Sequence, residues 1–317
     1  MNIDLCKSIG ANTGIVKCDR RRDVPVLFLL GTKEFTEEEY CGDMRAAILA
    51  AVALPNGAPG KLYPVRGVEN VVDNTAENTT GTTGLGRTIT FSEGKPNYQF
   101  GLITGINTEI ALRKFNRSNI PVFVIDRAGQ MWGWRKADGS FAGYSAEPFT
   151  DGKPFSDGAS VDTAYTNFNL AFEDVTEFFD AAAVKVLDFP SSDIQGLLDA
   201  ELYLISNAGE EHVFGVRYRN AELCNDVDLI EEYGAILADA GNFAGANYGP
   251  AATPLTVTAV SQGGGGIEVT YDAVTYAAIP EGTLIRQPFA PPATLAEAGL
   301  TGTEVQGLNW NKSAPTT

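Results

Sequence analysis

The stretch Ala164-Tyr-Thr-Asn-Phe-Asn-Leu-Ala-Phe172 alternates with a period of two. Ala164, Thr166, Phe168, Leu170 and Phe172 fall on one side, and Tyr165, Asn167, Asn169 and Ala171 on the other. Successive side chains of a strand point to opposite faces, so the pattern predicts a half-buried strand with one polar face. Such a strand belongs to a sheet with a packed back and a wet front.

Working outward, the neighbouring segments also read as strands. Residues 120–125 and 130–134 flank Asp126-Arg-Ala-Gly129, a hairpin signal. Residues 87–92 and 97–104 flank Glu93-Gly-Lys-Pro96, and residues 202–206 and 213–219 flank Asn207-Ala-Gly-Glu-Glu211, giving two more expected hairpins. Residues 24–30 form a short apolar run ended by Gly31, as in a fully buried strand. Helices are few. Thr36-Glu-Glu-Glu39 has capping-box spacing and opens a helix whose body runs through Met44, Ile48, Leu49 and Val52 to a stop at Pro55-Asn-Gly57. Residues 107–115 read as a short helix with Ile110, Ala111 and Phe115 on one face, and residues 226–240 as an acidic helix closed by Gly241.

The expected class is therefore mainly β with a few helices: a β-sandwich or barrel core carrying long loops, plus a small C-terminal β module. Residues 1–23 read as an N-terminal arm, 24–250 as the core with inserted helices, 243–253 as a linker, and 254–317 as the accessory module. Two long loops are expected, 55–87 and 145–160; loops of that length in a compact domain are usually functional or partner-bound. Candidate assembly residues on them are Asn74, Thr79, Gly81, Gly84, Gly86, Asp151 and Asp157. In the arm, Arg20, Arg21 and Arg22 are candidate contacts, bracketed by Asp19 and Asp23.

Charge narrows the function. The chain has 317 residues, 23 basic and 40 acidic, for a net charge of −17. Along the chain the balance is +1 over residues 1–66, −6 over 67–190 and −12 over 191–317. Binding to nucleic-acid backbones rests on basic neutralisation, so a nucleic-acid-gripping protein is excluded. The longest apolar runs, 46–54 and 24–30, are too short to span a bilayer. The opening Met1-Asn-Ile-Asp-Leu-Cys6 lacks a basic region followed by an apolar one, so no secretory signal is expected.

Catalytic and metal signatures are absent from the sequence. Cys6, Cys18, Cys41 and Cys224 form no CxxC pair and read as free buried thiols, with a Cys6–Cys18 disulfide as the other possibility. The single histidine, His212, reads as a strand-edge residue, and no GxSxG elbow accompanies it. Asp226, Asp228, Glu231 and Glu232 read as the capped, solvated face of a helix. Neither a cofactor, a metal nor an enzymatic activity is expected. Phe141, Trp132, Trp134 and Tyr144 cluster in one hairpin region. They raise an alternative reading, a carbohydrate-binding or adhesin-like module, against core packing.

The run Asn97-Tyr-Gln-Phe-Gly-Leu-Ile-Thr-Gly105, the helix after it, the hairpin Pro121-Val-Phe-Val-Ile-Asp-Arg-Ala-Gly-Gln-Met-Trp-Gly133 and the segment Gly143-Tyr-Ser-Ala-Glu-Pro-Phe149 carry a family likeness. Together they resemble virion structural proteins of tailed bacteriophages, in particular tail-tube-type proteins of phages infecting Bacteroidetes. The likeness covers roughly residues 10–250. It implies strands that continue across subunits into a closed, hexameric ring, rings that stack, and loops that stitch neighbours together. It further implies a virion protein made and assembled in the host cytoplasm. Its partners would be itself, neighbouring rings, other virion proteins and DNA that passes without specific binding. Another virion part, such as a neck ring, baseplate or capsid decoration, is the variant reading.

Overall fold

The computed structural model describes residues 22–82, 88–102, 106–153, 165–218, 226–263 and 265–312. The chain is mainly β, as its alternation predicts, and it divides into two compact units. The first comprises residues up to Val52 and Gly57–Gly196, and the second Ala53–Asn56 and the residues from Leu197 onward.

In the first unit the elements are β1 (Pro25–Gly31), β2 (Glu34–Phe35), α1 (Glu37–Cys41), α2 (Met44–Val52), β3 (Leu62–Arg66), β4 (Val68–Asp73), β5 (Thr79–Thr82), β6 (Thr88–Ser92), β7 (Asn97–Leu102), α3 (Ile106–Arg113), β8 (Ile120–Asp126), β9 (Gln130–Arg135), β10 (Phe141–Ala142), β11 (Tyr144–Lys153), β12 (Tyr165–Phe172) and β13 (Ala182–Val186). A π-helical turn, Thr176–Asp180, precedes β13. Eleven strands share one sheet, whose main path is β2-β10-β9-β8-β11-β12-β7-β4.

That sheet branches at β8. One edge of β8 pairs with β1, from Leu30 opposite Val122 to Pro25 opposite Asp126. The other edge meets β11 over Ile120–Val122 and then β9 over Val124–Ile125. β1 is buried on both faces, which explains its unbroken apolar run. Leu27 and Leu29 pack with Tyr40, Met44, Ile48 and Val52 under the two helices. Phe28 and Leu30 point into a second core with Phe100, Phe168, Leu170 and Tyr144. Phe28 lies 4.6 Å from Phe100 and 5.7 Å from Phe168, ring centre to ring centre.

The predicted alternation holds. Thr166, Phe168, Leu170 and Phe172 are buried, while Asn167, Asn169 and Ala171 face outward and are partly exposed. Ala164 lies outside the described residues. The capping box also forms: Thr36 accepts from the Glu39 amide and Glu39 reaches back to the Thr36 amide.

Several expectations are corrected. The helix opened by Thr36 ends at Cys41, and a second begins at Met44, because Gly42 and Asp43 break it between them. Residues 55–87 are not one loop but contain β3, β4 and β5, and residues 145–153 are strand β11. β6 and β7 do not form a hairpin with each other. β6 pairs with β5, and β7 pairs with β4 and β12. On α3 the buried side chain is Leu112, while Ile110 and Ala111 are exposed.

The second unit contains β14 (Leu198–Ala208), β15 (Glu211–Tyr218), β16 (Val227–Asp228), α4 (Ile230–Leu237), β17 (Asn247–Tyr248), β18 (Thr253–Pro254), β19 (Val257–Gly263), β20 (Gly266–Tyr271), α5 (Ala273–Ala278), β21 (Leu284–Gln287), α6 (Pro292–Glu297), β22 (Thr303–Gln306) and β23 (Leu308–Asn311). Its larger sheet runs β19-β20-β15-β14-β22, with β16 beside β15. The boundary between units therefore lies at residue 196, not near 250. β14 and β15 share a sheet and a core with β20 and β22, so residues 254–317 are not a separate module. The expected linker, 243–253, likewise holds β17 and β18 of the smaller sheet.

Candidate functional site

The outward face of β4, β7, β12 and β11 carries a band of side-chain amides flanked by Val72 and Phe149. Register places Val72, Gln99, Asn169 and Phe149 in one row, and Asn70, Gly101, Asn167 and Asp151 in the next. Side-chain amides link across strands. Asn74 Nδ2 donates to Gln99 Oε1 at 3.4 Å, and Gln99 Nε2 donates to Asn167 Oδ1 at 2.8 Å. Asn169 Nδ2 donates to the Phe149 carbonyl at 3.3 Å. Amides satisfy one another without net charge, so this face is wet and neutral in its middle. Acidic groups stand at its β11 margin, Glu147 and Asp151, both exposed, while Asp73 closes β4 opposite Tyr98 on the other face. Hydrogen bonds from Thr75 hold the Asp73 carboxyl below its ordinary range.

β4 ends the main path of the sheet. Among the described residues it pairs with β7 along one edge and with no strand along the other. Val71 and Val72 are 40 % and 49 % exposed, high values for β-branched residues in a strand. A row of unpaired N–H and C=O groups flanked by exposed apolar side chains is a template for a further strand.

Behind this edge, on the opposite face, lies a cavity of about 340 Å³. Val71, Tyr98, Phe100, Trp132 and Phe178 give it an apolar wall, with Arg22 and Asp23 at its rim. The Arg22 guanidinium sits 3.9 Å from the Phe178 ring centre, 5.4 Å from Trp132 and 5.6 Å from Tyr144. Its Nη2 donates to the Tyr144 hydroxyl at 3.1 Å and to the Phe178 carbonyl. Burial raises the pKa of that hydroxyl above its ordinary value, with Arg22 opposing the shift.

The assembly residues read from the sequence fall unevenly. Asn74 and Asp151 stand at opposite margins of the amide face. Thr79 and Gly81 lie in β5, opposite Ser92 and Ile89 in a separate two-stranded ribbon. Asp151 belongs to strand β11 and not to a loop. Of the arm arginines, Arg22 meets the aromatic cage; Arg20 and Arg21, like Gly84, Gly86 and Asp157, lie outside the described residues. Val71 and Val72 lie in a segment whose Gly, Pro, Asn and Thr content reads as loop, although paired valines are a strand signal.

The other candidates resolve into structure. Trp132, Tyr144 and Phe141 are buried, and Trp134 donates its Nε1 to the Gly143 carbonyl at 3.0 Å, so the aromatic cluster is core and not an exposed platform. His212 is buried in β15 between β14 and β20, not at a strand edge, because Tyr271, Tyr276 and Trp310 close over it. Cys41 is an exposed free thiol, where a buried one was expected; the other three cysteines lie outside the described residues. Asp228 accepts from the Ile230 amide at 2.8 Å where α4 begins, and Asp226 pairs with Arg217 at 3.1 Å. Among the described residues no group of three or more acidic, His or Cys side chains is placed to hold a metal, and no helix is long and apolar enough to cross a membrane. No protein-family model, curated protein or solved structure matches the chain.

Proposed function

We propose that the chain is a self-assembling virion structural protein, a tail-tube-type subunit of a phage infecting Bacteroidetes. The single observation that carries this reading is the open edge of β4, where an extensive sheet stops at exposed Val71 and Val72. A strand from a neighbouring copy would continue the sheet, satisfy the edge and close a ring, taken as hexameric from the family resemblance. The neutral amide face with its acidic β11 margin suits a surface along which DNA slides, since a basic surface would hold it by counterion release. Neighbouring rings and other virion proteins complete the set of partners.

Negative-stain electron microscopy of the purified chain, with mass photometry alongside, tests this. Rings or stacked tubes of uniform diameter are expected at micromolar concentration. A protein that stays a 34 kDa monomer as its concentration is raised overturns self-assembly.

A further inference from the structure

The assembly reading leaves the cavity beside Arg22 unused. It opens to solvent on one side and is lined by aromatic and aliphatic side chains drawn from β1, β4, β7, β8, β9, β11, β12 and the π-helical turn. Its size falls in the range of small-molecule sites, which are mostly apolar with a few placed polar groups. Those groups here are sharply limited. The Tyr144 hydroxyl is already taken by Arg22. Trp132 Nε1 is taken by Asp126 at 2.8 Å. Asp23 turns one carboxylate oxygen onto the Val24 amide at 2.7 Å.

Arg22 is different. Both of its hydrogen bonds start from Nη2, and among the described residues Nε and Nη1 have no partner. A guanidinium offers five N–H groups in a planar fork that matches a carboxylate. Nη2 belongs to both edges of that fork and its two hydrogens are used, so on a guanidinium fixed by stacking on Phe178 a ligand carboxylate would accept one charge-assisted hydrogen bond, from Nε or Nη1, at the rim of an apolar chamber.

We infer that this cavity is a binding site for an amphipathic monocarboxylate, with its apolar chain among Val71, Phe100, Trp132 and Phe178 and its carboxylate on Arg22. The inference does not depend on ring assembly: it uses the inner face of the sheet and not the free backbone of β4, Val71 being the side chain common to both.

Titration calorimetry with sodium decanoate on the full chain tests it, with decanol and decylamine as probes of the same chain length. Decanoate is expected to bind about tenfold or more tightly than decanol, with decylamine weakest. Arg22→Gln should remove the preference for decanoate and leave decanol binding unchanged. Val71→Trp, at an exposed edge position, should fill the mouth of the chamber and abolish binding of both. Circular dichroism on each variant checks the fold. The inference is overturned by absent decanoate binding up to about 1 mM, by equal affinity for decanoate and decanol, or by wild-type decanoate affinity in either folded variant.

Discussion

The indole Nε1 of Trp132 donates to the carboxylate of Asp126, 2.8 Å away across the turn that joins β8 to β9. Asp126 is almost wholly buried, and it also accepts from the Gln130 amide at 2.9 Å, from Gln130 Nε2 at 3.2 Å and from the Asp23 amide at 3.2 Å. One side chain thus fixes the hairpin turn, seats a core tryptophan and anchors the residue that leads into β1.

Asp126→Ala would leave several buried donors without an acceptor. Each such loss costs about 1–3 kcal/mol, so a destabilisation of roughly 3 kcal/mol or more is expected. Asp126→Asn should cost less, since one oxygen remains to accept. Urea unfolding followed by circular dichroism measures both, and an unchanged midpoint for the alanine variant refutes the anchoring role.

Gly133 sits between two tryptophans where three groups converge. A Cβ there would come within 2.3 Å of the Ala142 carbonyl oxygen and 3.0 Å of the Phe123 and Phe141 rings. The oxygen belongs to backbone and cannot swing away. Gly133→Ala should cost about 1–3 kcal/mol by overpacking, read as a lowered thermal midpoint. A neutral result would mean that β10 shifts freely against β9.

His212 makes the second unit sensitive to acid. Burial lowers its pKa from the ordinary 6.5 to about 4, and Tyr276 Oη lies 3.0 Å from its Nε2. A folded pKa below the unfolded one means that the unfolded chain takes the proton first. The stability is intact above about pH 6.5, falls as the pH drops towards 4, and levels off below that. The full loss is on the order of 3 kcal/mol. Chemical denaturation at pH 7.5, 6 and 5 should show it, with His212→Phe as the comparison because other carboxylates titrate nearby. Parallel pH profiles for the two proteins would rule out His212 as the source.

Val72 offers a direct probe of the β4 edge. Its side chain shares the outward row with Gln99, so a charge there leaves the core untouched. Lysine on an edge strand discourages pairing. Val72→Lys should leave the stability within about 0.5 kcal/mol of wild type, with the thermal midpoint little changed, while abolishing rings in micrographs. Rings that persist unchanged would place the subunit contact elsewhere.

Features that depend on near neighbours are legible in the residues alone. Period-two alternation at 166–172 marked β12 and its polar face, Thr36 and Glu39 fixed a helix start, and Asp126 to Gly129 marked the hairpin between β8 and β9. Each signal is read within a few residues, because side-chain direction and capping are local geometry. Tertiary structure alone decided which strands meet. β6 turned to β5 and β7 to β12, some 70 residues on, while β14 and β15 joined the C-terminal strands. Backbone hydrogen bonds are the same for every residue type except proline, so they carry no label for a distant partner. The choice falls to the packing of both faces at once. The same holds for Arg22. Its cage is assembled from Trp132, Tyr144 and Phe178, more than 100 residues away in sequence, and it exists only when β9, β11 and the π-helical turn converge on one core.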